Sequence, residues 1–376
     1  MEFLIDITKI QEEYKNRFGH APLNISDWNP SYEFKERLNT YMQMDYNINP
    51  IDYVFSYSFT KSEHQSLLTK LGYENSDGRK ETLITPNGSA SIRNILHWLH
   101  EVGCKKLLVI SPSYFTVEYG CSDFDIIYKE IFLRRNSTGY HLNNQEVLAH
   151  LDEVDAIWVT NPIYCTSVHF DNNIISVIEN ILKLDKYVIS DESLCRSGYE
   201  LVRHFGKYKK FVGIYSPHKS ICVNGNKFSV IVFDRAETNI FNNWVVALSG
   251  NLLISNAVAF NHFQSDNFTV YKELYDAEVS KNYKRIEAVI KKYKVDYDSK
   301  IAGYLVSIYF PNIDGNKGYD KLFLKKLVFE TGVTLIPGVR NHFDPQIGFC
   351  FRINLCSLTK NTVHSLIRLI KYLQQY

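Results

Sequence analysis

The segment Tyr215-Ser216-Pro217-His218-Lys219-Ser220, continued by Gly225-Asn226-Lys227, places a potential amine nucleophile just past an apolar run. Loops at the carboxyl ends of parallel strands form ligand crevices. A lysine acts as a nucleophile only when deprotonated, and burial or a neighbouring positive charge lowers its pKa toward that state. The competing reading is an ordinary surface lysine. Four other segments carry potential chemistry. In Thr85-Pro86-Asn87-Gly88-Ser89-Ala90-Ser91-Ile92 a strand gives way to a Gly-Ser turn and a helix. Free N–H groups at Gly88, Ser89 and Ala90 would suit a phosphate, whereas an ordinary helix cap needs the same residues. Tyr187-Val188-Ile189-Ser190-Asp191-Glu192 ends an apolar strand in two acids, suited to a protonated ring nitrogen, a metal or a helix cap. Val159-Thr160-Asn161-Pro162 is a further strand tip, or simply an Asn-Pro turn. In Phe349-Cys350-Phe351-Arg352-Ile353-Asn354 a charge sits inside an apolar strand pattern. Such a charge must be paired. Arg352 therefore either grips a substrate carboxylate bidentately or forms a structural salt bridge.

The elements that must position these groups follow from periodicity. Short apolar runs at 82–85, 106–110, 126–132, 156–160, 187–190, 211–215 and 229–233 read as strands. Amphipathic segments at 89–101, 116–121, 144–151 and 172–184 read as helices between them. Strands spaced by helices imply an α/β fold with a mostly parallel, doubly wound sheet. The last strand follows its predecessor closely enough to run antiparallel. Residues 236–293 read as long helices, with a connector near 271–294. Strand patterns at 304–310, 333–336 and 349–353, with helices at 321–331 and 360–375, read as a smaller α+β domain. The expected organisation is an N-terminal arm and part of the small domain over 1–50, a large α/β domain over 51–290 and the small domain over 291–376.

The order of these signals matters more than any one of them. Gly-Ser at 88–89, an aromatic at 114, Asn161, Asp191, Ser216-x-x-Lys219, a basic residue at 227 and Arg352 together resemble the pyridoxal 5'-phosphate (PLP) enzymes of fold type I, class I/II aminotransferase group. The resemblance spans roughly residues 20 to 376. It implies that Lys219 carries the cofactor as a Schiff base and shuttles the substrate α-proton. Asp191 would pair with the pyridine nitrogen. Gly88, Ser89 and Ala90 would cradle the phosphate with Ser216 and Lys227. Tyr114 would stack on the ring, Asn161 would meet its phenolic oxygen, and Arg352 would bind the substrate carboxylate. Tyr57 would reach the phosphate of a neighbouring subunit, because this group builds shared active sites in a homodimer.

The chain departs from the group's pattern in four places. The usual Asn-Pro-x-Asn-Pro-Thr-Gly appears as Asn161-Pro162-Ile163-Tyr164-Cys165-Thr166-Ser167, and Asp-x-x-Tyr as Asp191-Glu192-Ser193-Leu194. Leu194 cannot donate a hydrogen bond, so Tyr164 is the candidate to replace the lost phenol. Lys227 stands where an arginine is usual, and Ser229 where a glycine is. The expected activity is transfer of an amino group between an amino acid and a 2-oxo acid in specialised biosynthesis. The alternatives are a PLP lyase, cyclase or decarboxylase on the same scaffold, or a non-catalytic relative of the fold.

Bulk properties are those of a globular chain. Of 376 residues, 45% are hydrophobic and 22% charged, which are globular values. Lys and Arg total 42 against 41 Asp and Glu, so no global field draws the chain to nucleic acid or an anionic membrane. The 7 cysteines are scattered without a Cys-x-x-Cys pair, which argues against a disulfide framework or a zinc site and for a reducing cytoplasm. The first residues lack the basic start and apolar run of a signal peptide, and no apolar stretch approaches the ~18 residues of a membrane span. No histidine pair has metal-ligand spacing. His218 either tunes Lys219 or packs.

Overall fold

The structure, a computed structural model, describes residues 2–39, 54–73, 78–137, 139–237, 239–240 and 251–376. Its centre is a seven-stranded sheet: β1 (Lys80–Thr85), β2 (Lys106–Ser111), β3 (Ile127–Phe132), β4 (Ala156–Thr160), β5 (Tyr187–Glu192), β6 (Phe211–Tyr215) and β7 (Ser229–Asp234). The spatial order is β1-β7-β6-β5-β4-β2-β3. Only β7 runs antiparallel to its neighbours. Sheets covered on both faces are built from continuous apolar runs, and the burial shows why. Leu83, Leu107, Val109, Trp158 and Ile189 enter one core, while Ile84, Leu108, Ile110, Ile157 and Val188 enter the other. The first of these cores is covered by the helix Gly88–Glu101, whose Ile92, Ile95, Leu96 and Leu99 fall on one helical face.

The register fixes what the strand tips share. Thr160 lies opposite Asp191, and Asp191 opposite Ile214. Asn161, Asp191 and Ser216 therefore emerge side by side at the carboxyl edge. Ser229, entering β7 from the reverse direction, lies opposite Thr85 and joins the same edge.

A 28-residue helix, Asp266–Tyr293, leads to a second sheet in which β8 (Leu305–Phe310) pairs antiparallel with β9 (Phe349–Asn354), flanked by the short strand Asp296–Tyr297. The N-terminus joins this region. Leu23–Asn24 pairs in parallel with Val333–Thr334, and the helix Glu2–Phe18 packs on the helix Lys321–Thr331.

Three local features differ from the periodicity reading. The stretch from 236 is not continuous helix among its described residues: Asn251–Leu252 is a short strand paired with Val54–Phe55, and helix resumes at Ile254–Gln264. The expected strand 333–336 shortens to Val333–Thr334. A small hairpin, Arg134–Asn136 with Gly139–His141, follows β3. Its arginines anchor it across the fold: Arg135 pairs with Asp296 and Asp298, and Arg134 with Asp344. No described helix is long and apolar enough to cross a membrane.

Candidate active site

Lys219 begins a single helical turn after β6, and its side chain enters a cleft between rings. Its Nζ lies 5.3 Å from the centre of Trp28 and 5.3 Å from that of Tyr114. Burial lowers the pKa of this amine; Asp191 pulls it back up, and the charge of Arg352 pushes it further down. Asp191 and Arg352 thus both act on the amine of Lys219. Asp191 is 6% exposed and fixed at the end of β5, its carboxylate accepting the N–H of Ser193 at 3.0 Å.

Arg352 is 2% exposed. The guanidinium donates Nε–H and Nη2–H to the Ser26 carbonyl at 3.4 and 3.2 Å, and Nη1–H to the Cys165 sulfur at 2.8 Å. These are neutral acceptors. Among the described residues no carboxylate lies within ion-pair distance of it. Trp28 covers one face at 3.8 Å, which leaves the in-plane N–H edge for hydrogen bonding. Tyr164 also reaches the guanidinium, and its ring centre is 5.8 Å from that of Tyr114.

A hydroxyl cradle lies beside the lysine. Ser216 hydrogen-bonds Ser229 and, at 3.3 Å, Ser193. These hydroxyls face the start of the helix Gly88–Glu101. A Cβ on Gly88 would stand 3.1 Å from Ser193 Oγ and 3.6 Å from Ser216 Oγ, so glycine keeps this space open. The N–H groups of Gly88 and Ser89 belong to the first turn, which has no intrahelical acceptors. That of Ala90 is taken by the Asn87 side chain at 3.0 Å, so Asn87 caps the helix as a plain cap would. Lys227 is half-buried, donates to the Asn224 carbonyl at 2.9 Å, and has its pKa lowered by burial and by the charge of Lys219.

Two sequence candidates sit differently from the rest. Asn161 occupies the expected strand tip, but its side chain is consumed locally. Its amide donates to the Tyr199 carbonyl at 3.0 Å and to Glu192 at 3.5 Å, and its oxygen accepts from Phe170 N–H at 3.2 Å. Tyr57 is 56% exposed, with its ring stacked on Phe55. His218 packs rather than tunes. It hydrogen-bonds His262 at 3.1 Å among Phe228 and Phe268, and burial holds its pKa near about 3, so it is neutral.

Trp28, Ser193 and Cys165 were not among the sequence candidates. Trp28 lies in Asp27-Trp28-Asn29-Pro30, a segment without periodicity, and only the rarity of tryptophan marks it. Ser193 was visible as part of Asp191-x-Ser193 but reads equally as a turn.

Glu192, next to Asp191 in sequence, points to the opposite side. It accepts Leu201 N–H at 2.7 Å and Tyr215 O–H at 2.9 Å, and burial pushes its pKa up to about 8. A carboxyl whose folded pKa is raised stabilises the fold below its unfolded value, and that stabilisation is lost as pH rises through the folded value. Wild-type thermal stability should therefore fall relative to Glu192→Gln between about pH 5 and pH 8. Parallel melting curves across that range would contradict the shift. Two surface cavities, of about 220 and 730 Å³, are lined respectively by Glu192, Tyr215 and Ser216 and by Arg135, His169 and Tyr199. Lys219, Asp191 and Arg352 line neither, so size alone does not mark the chemistry here.

No protein-family model matches the sequence, and no curated protein matches it. Solved structures do. An archaeal alanine:glyoxylate aminotransferase superposes with a TM-score of 0.77 at 14% identity, covering 98% of this chain and 95% of the other. A methionine aminotransferase of Escherichia coli gives 0.75 at 14% identity, covering 99% and 96%. A PLP-bound C–S lyase of Staphylococcus hominis gives 0.68 at 15% identity, covering 90% and 86%. From end to end, this chain has the fold of the fold-type I PLP-dependent enzymes.

Proposed function

We propose that this protein is a PLP-dependent aminotransferase that moves an amino group between an amino acid and a 2-oxo acid. The observation that carries the reading is the convergence of the Lys219 amine with Asp191 and with a guanidinium, Arg352, that has no carboxylate of its own among the described residues. The residues present fit the cofactor. The space kept by Gly88 beside the Ser193 and Ser216 hydroxyls suits a phosphate, and Lys227 adds positive charge. Tyr114 offers a ring face and Asp191 an acceptor for a protonated nitrogen. PLP, when bound, supplies an electron sink that lets the substrate Cα–H ionise.

The rest of the chemistry falls to this chain's side chains. Lys219, with its pKa lowered, takes the α-proton and returns it to a different carbon. Arg352 holds the α-carboxylate and fixes which bond at Cα faces Lys219. Tyr164, whose ring lies 5.8 Å from that of Tyr114, would hold the ring oxygen in place of Asn161, whose amide is spent. The exposed Tyr57 supports a homodimer with a shared site. Residues 1–50 and 291–376 would form the smaller domain around a large domain of 51–290. All seven cysteines are unpaired thiols, which supports the cytoplasm as its compartment.

The cradle gives a direct test. Gly88→Val would place branched carbon where the phosphate is to sit, and should weaken PLP binding at least ~10-fold while leaving the fold intact. Equilibrium titration of cofactor absorbance measures this, and unchanged affinity would remove Gly88 from the cradle. Reaction type is decided separately. With amino donor alone, an aminotransferase releases one equivalent of 2-oxo acid per site and no ammonia. The shared fold of the C–S lyase makes elimination the second reading; continuous release of ammonia and 2-oxo acid would establish it instead.

A further inference from the structure

The N-terminal segment does more than pair with the small domain. Ser26 holds Arg352 through its carbonyl and hydroxyl, the hydroxyl donating to the Arg352 carbonyl at 2.7 Å. The Trp28 carbonyl accepts from the Asn224 side chain at 2.8 Å and from the Cys222 thiol at 3.5 Å, both on the loop that follows Lys219. The indole is thereby pinned between the two groups that a substrate must bridge. It lies 3.8 Å from the Arg352 guanidinium and 5.3 Å from Lys219 Nζ, and 6.4 Å from the ring of Tyr164.

A substrate with its carboxylate on the edge of Arg352 and its Cα within reach of Lys219 runs along this indole. Its side chain must leave Cα against Trp28 and Tyr164. Asp191, Arg352 and Cys165 act electrostatically on Lys219, and Lys219 acts on Lys227. Arg352 is committed to the α-carboxylate, and Lys227 is bonded to the Asn224 carbonyl. A second carboxylate would be desolvated against these ring faces, whereas an apolar side chain gains by stacking or packing there.

Resting on the aminotransferase reading, we infer that Trp28 is the specificity-determining wall of the substrate site, and that the site takes amino acids with aromatic or long apolar side chains in preference to acidic ones. Trp28 is here a residue that touches substrate, not one that transfers a proton.

The test uses the full chain loaded with PLP. Binding of two unreactive carboxylates, 3-phenylpropanoate and succinate, is measured by calorimetry, and the rate of loss of the near-visible absorption is compared for phenylalanine, methionine, aspartate and glutamate. The wild type should favour 3-phenylpropanoate over succinate at least ~10-fold, and phenylalanine or methionine over both acidic donors. Trp28→Ala should shrink the carboxylate preference below ~3-fold, and Trp28→Phe should restore most of it. A bound-cofactor band accompanied by faster reaction with the acidic donors would overturn the inference, as would an unchanged preference in Trp28→Ala. If Trp28→Ala does not fold, Trp28→Phe and the wild-type donor ranking still decide. Absence of any cofactor band would refute the aminotransferase reading itself and this inference with it.

Discussion

Lys219→Ala should replace the imine band of PLP-loaded protein by the shorter-wavelength absorption of the free aldehyde and reduce turnover by at least ~10⁴-fold, because it removes both the covalent anchor and the proton carrier. The expectation rests on position as much as on residue type. Lys219 Nζ sits between two aromatic rings, in a site where burial favours the neutral amine. No other described lysine shares that cleft except Lys227, whose amine is bonded to a backbone carbonyl. The alanine variant should still bind PLP, now reversibly and without the band, since the serine cradle and Asp191 remain. Difference spectra and single-turnover rates separate these effects. Retention of the band would mean that another amine carries the cofactor, and the site would have to be rebuilt around it.

Arg352 gives the second large effect. Arg352→Met should weaken carboxylate substrates roughly 10²–10³-fold, because a buried charge pair with good hydrogen bonds is lost on one side. Its effect on stability should point the other way. The partners of Arg352 among the described residues are a carbonyl, a thiol, the Trp28 ring and Tyr164, so its removal leaves no described carboxylate stranded. Replacing an uncompensated buried charge by an apolar side chain of similar length is commonly neutral or stabilising. The melting temperature of the protein without ligand should thus be held or raised while substrate affinity falls. A structural salt bridge would produce the reverse, a variant that melts early and binds normally. Thermal melting paired with calorimetric titration of a monocarboxylate distinguishes the two.

Most of the large sheet could be read from sequence because it is buried on both faces. Strands such as Lys106–Ser111 and Phe211–Tyr215 are near-continuous apolar runs, and their expected limits fall within two residues of those observed. The two-residue strands at 23–24, 54–55 and 251–252 have no such signature, since pairings that short are set by tertiary context. The same division applies to the site. Lys219, Asp191, Ser216 and Gly88 were legible because each lies at a strand tip, where topology dictates what is adjacent. Arg352 was legible as a charge in an apolar strand, but the absence of an acid beside it was not, since that depends on segments more than 180 residues away. Asn161 shows the limit of position alone: it occupies the right tip, yet Tyr199, Glu192 and Phe170 claim its amide. Trp28 was illegible because its neighbours are Lys219 and Arg352, at sequence separations no local pattern encodes.

The pairing of Leu23–Asn24 with Val333–Thr334, and of Ser26 with Arg352, spans nearly the whole chain. During synthesis Leu23–Asn24 emerges long before Val333–Thr334, the strand that receives it. Closing a loop of that length comes late in folding, after the central sheet can already have assembled. Trp28 and Arg352 meet only at that closure, so a nascent chain would carry Lys219 without its indole wall until Arg352 has been made. Competence to recognise substrate is thereby deferred until the strands around Val333 and Arg352 have been made.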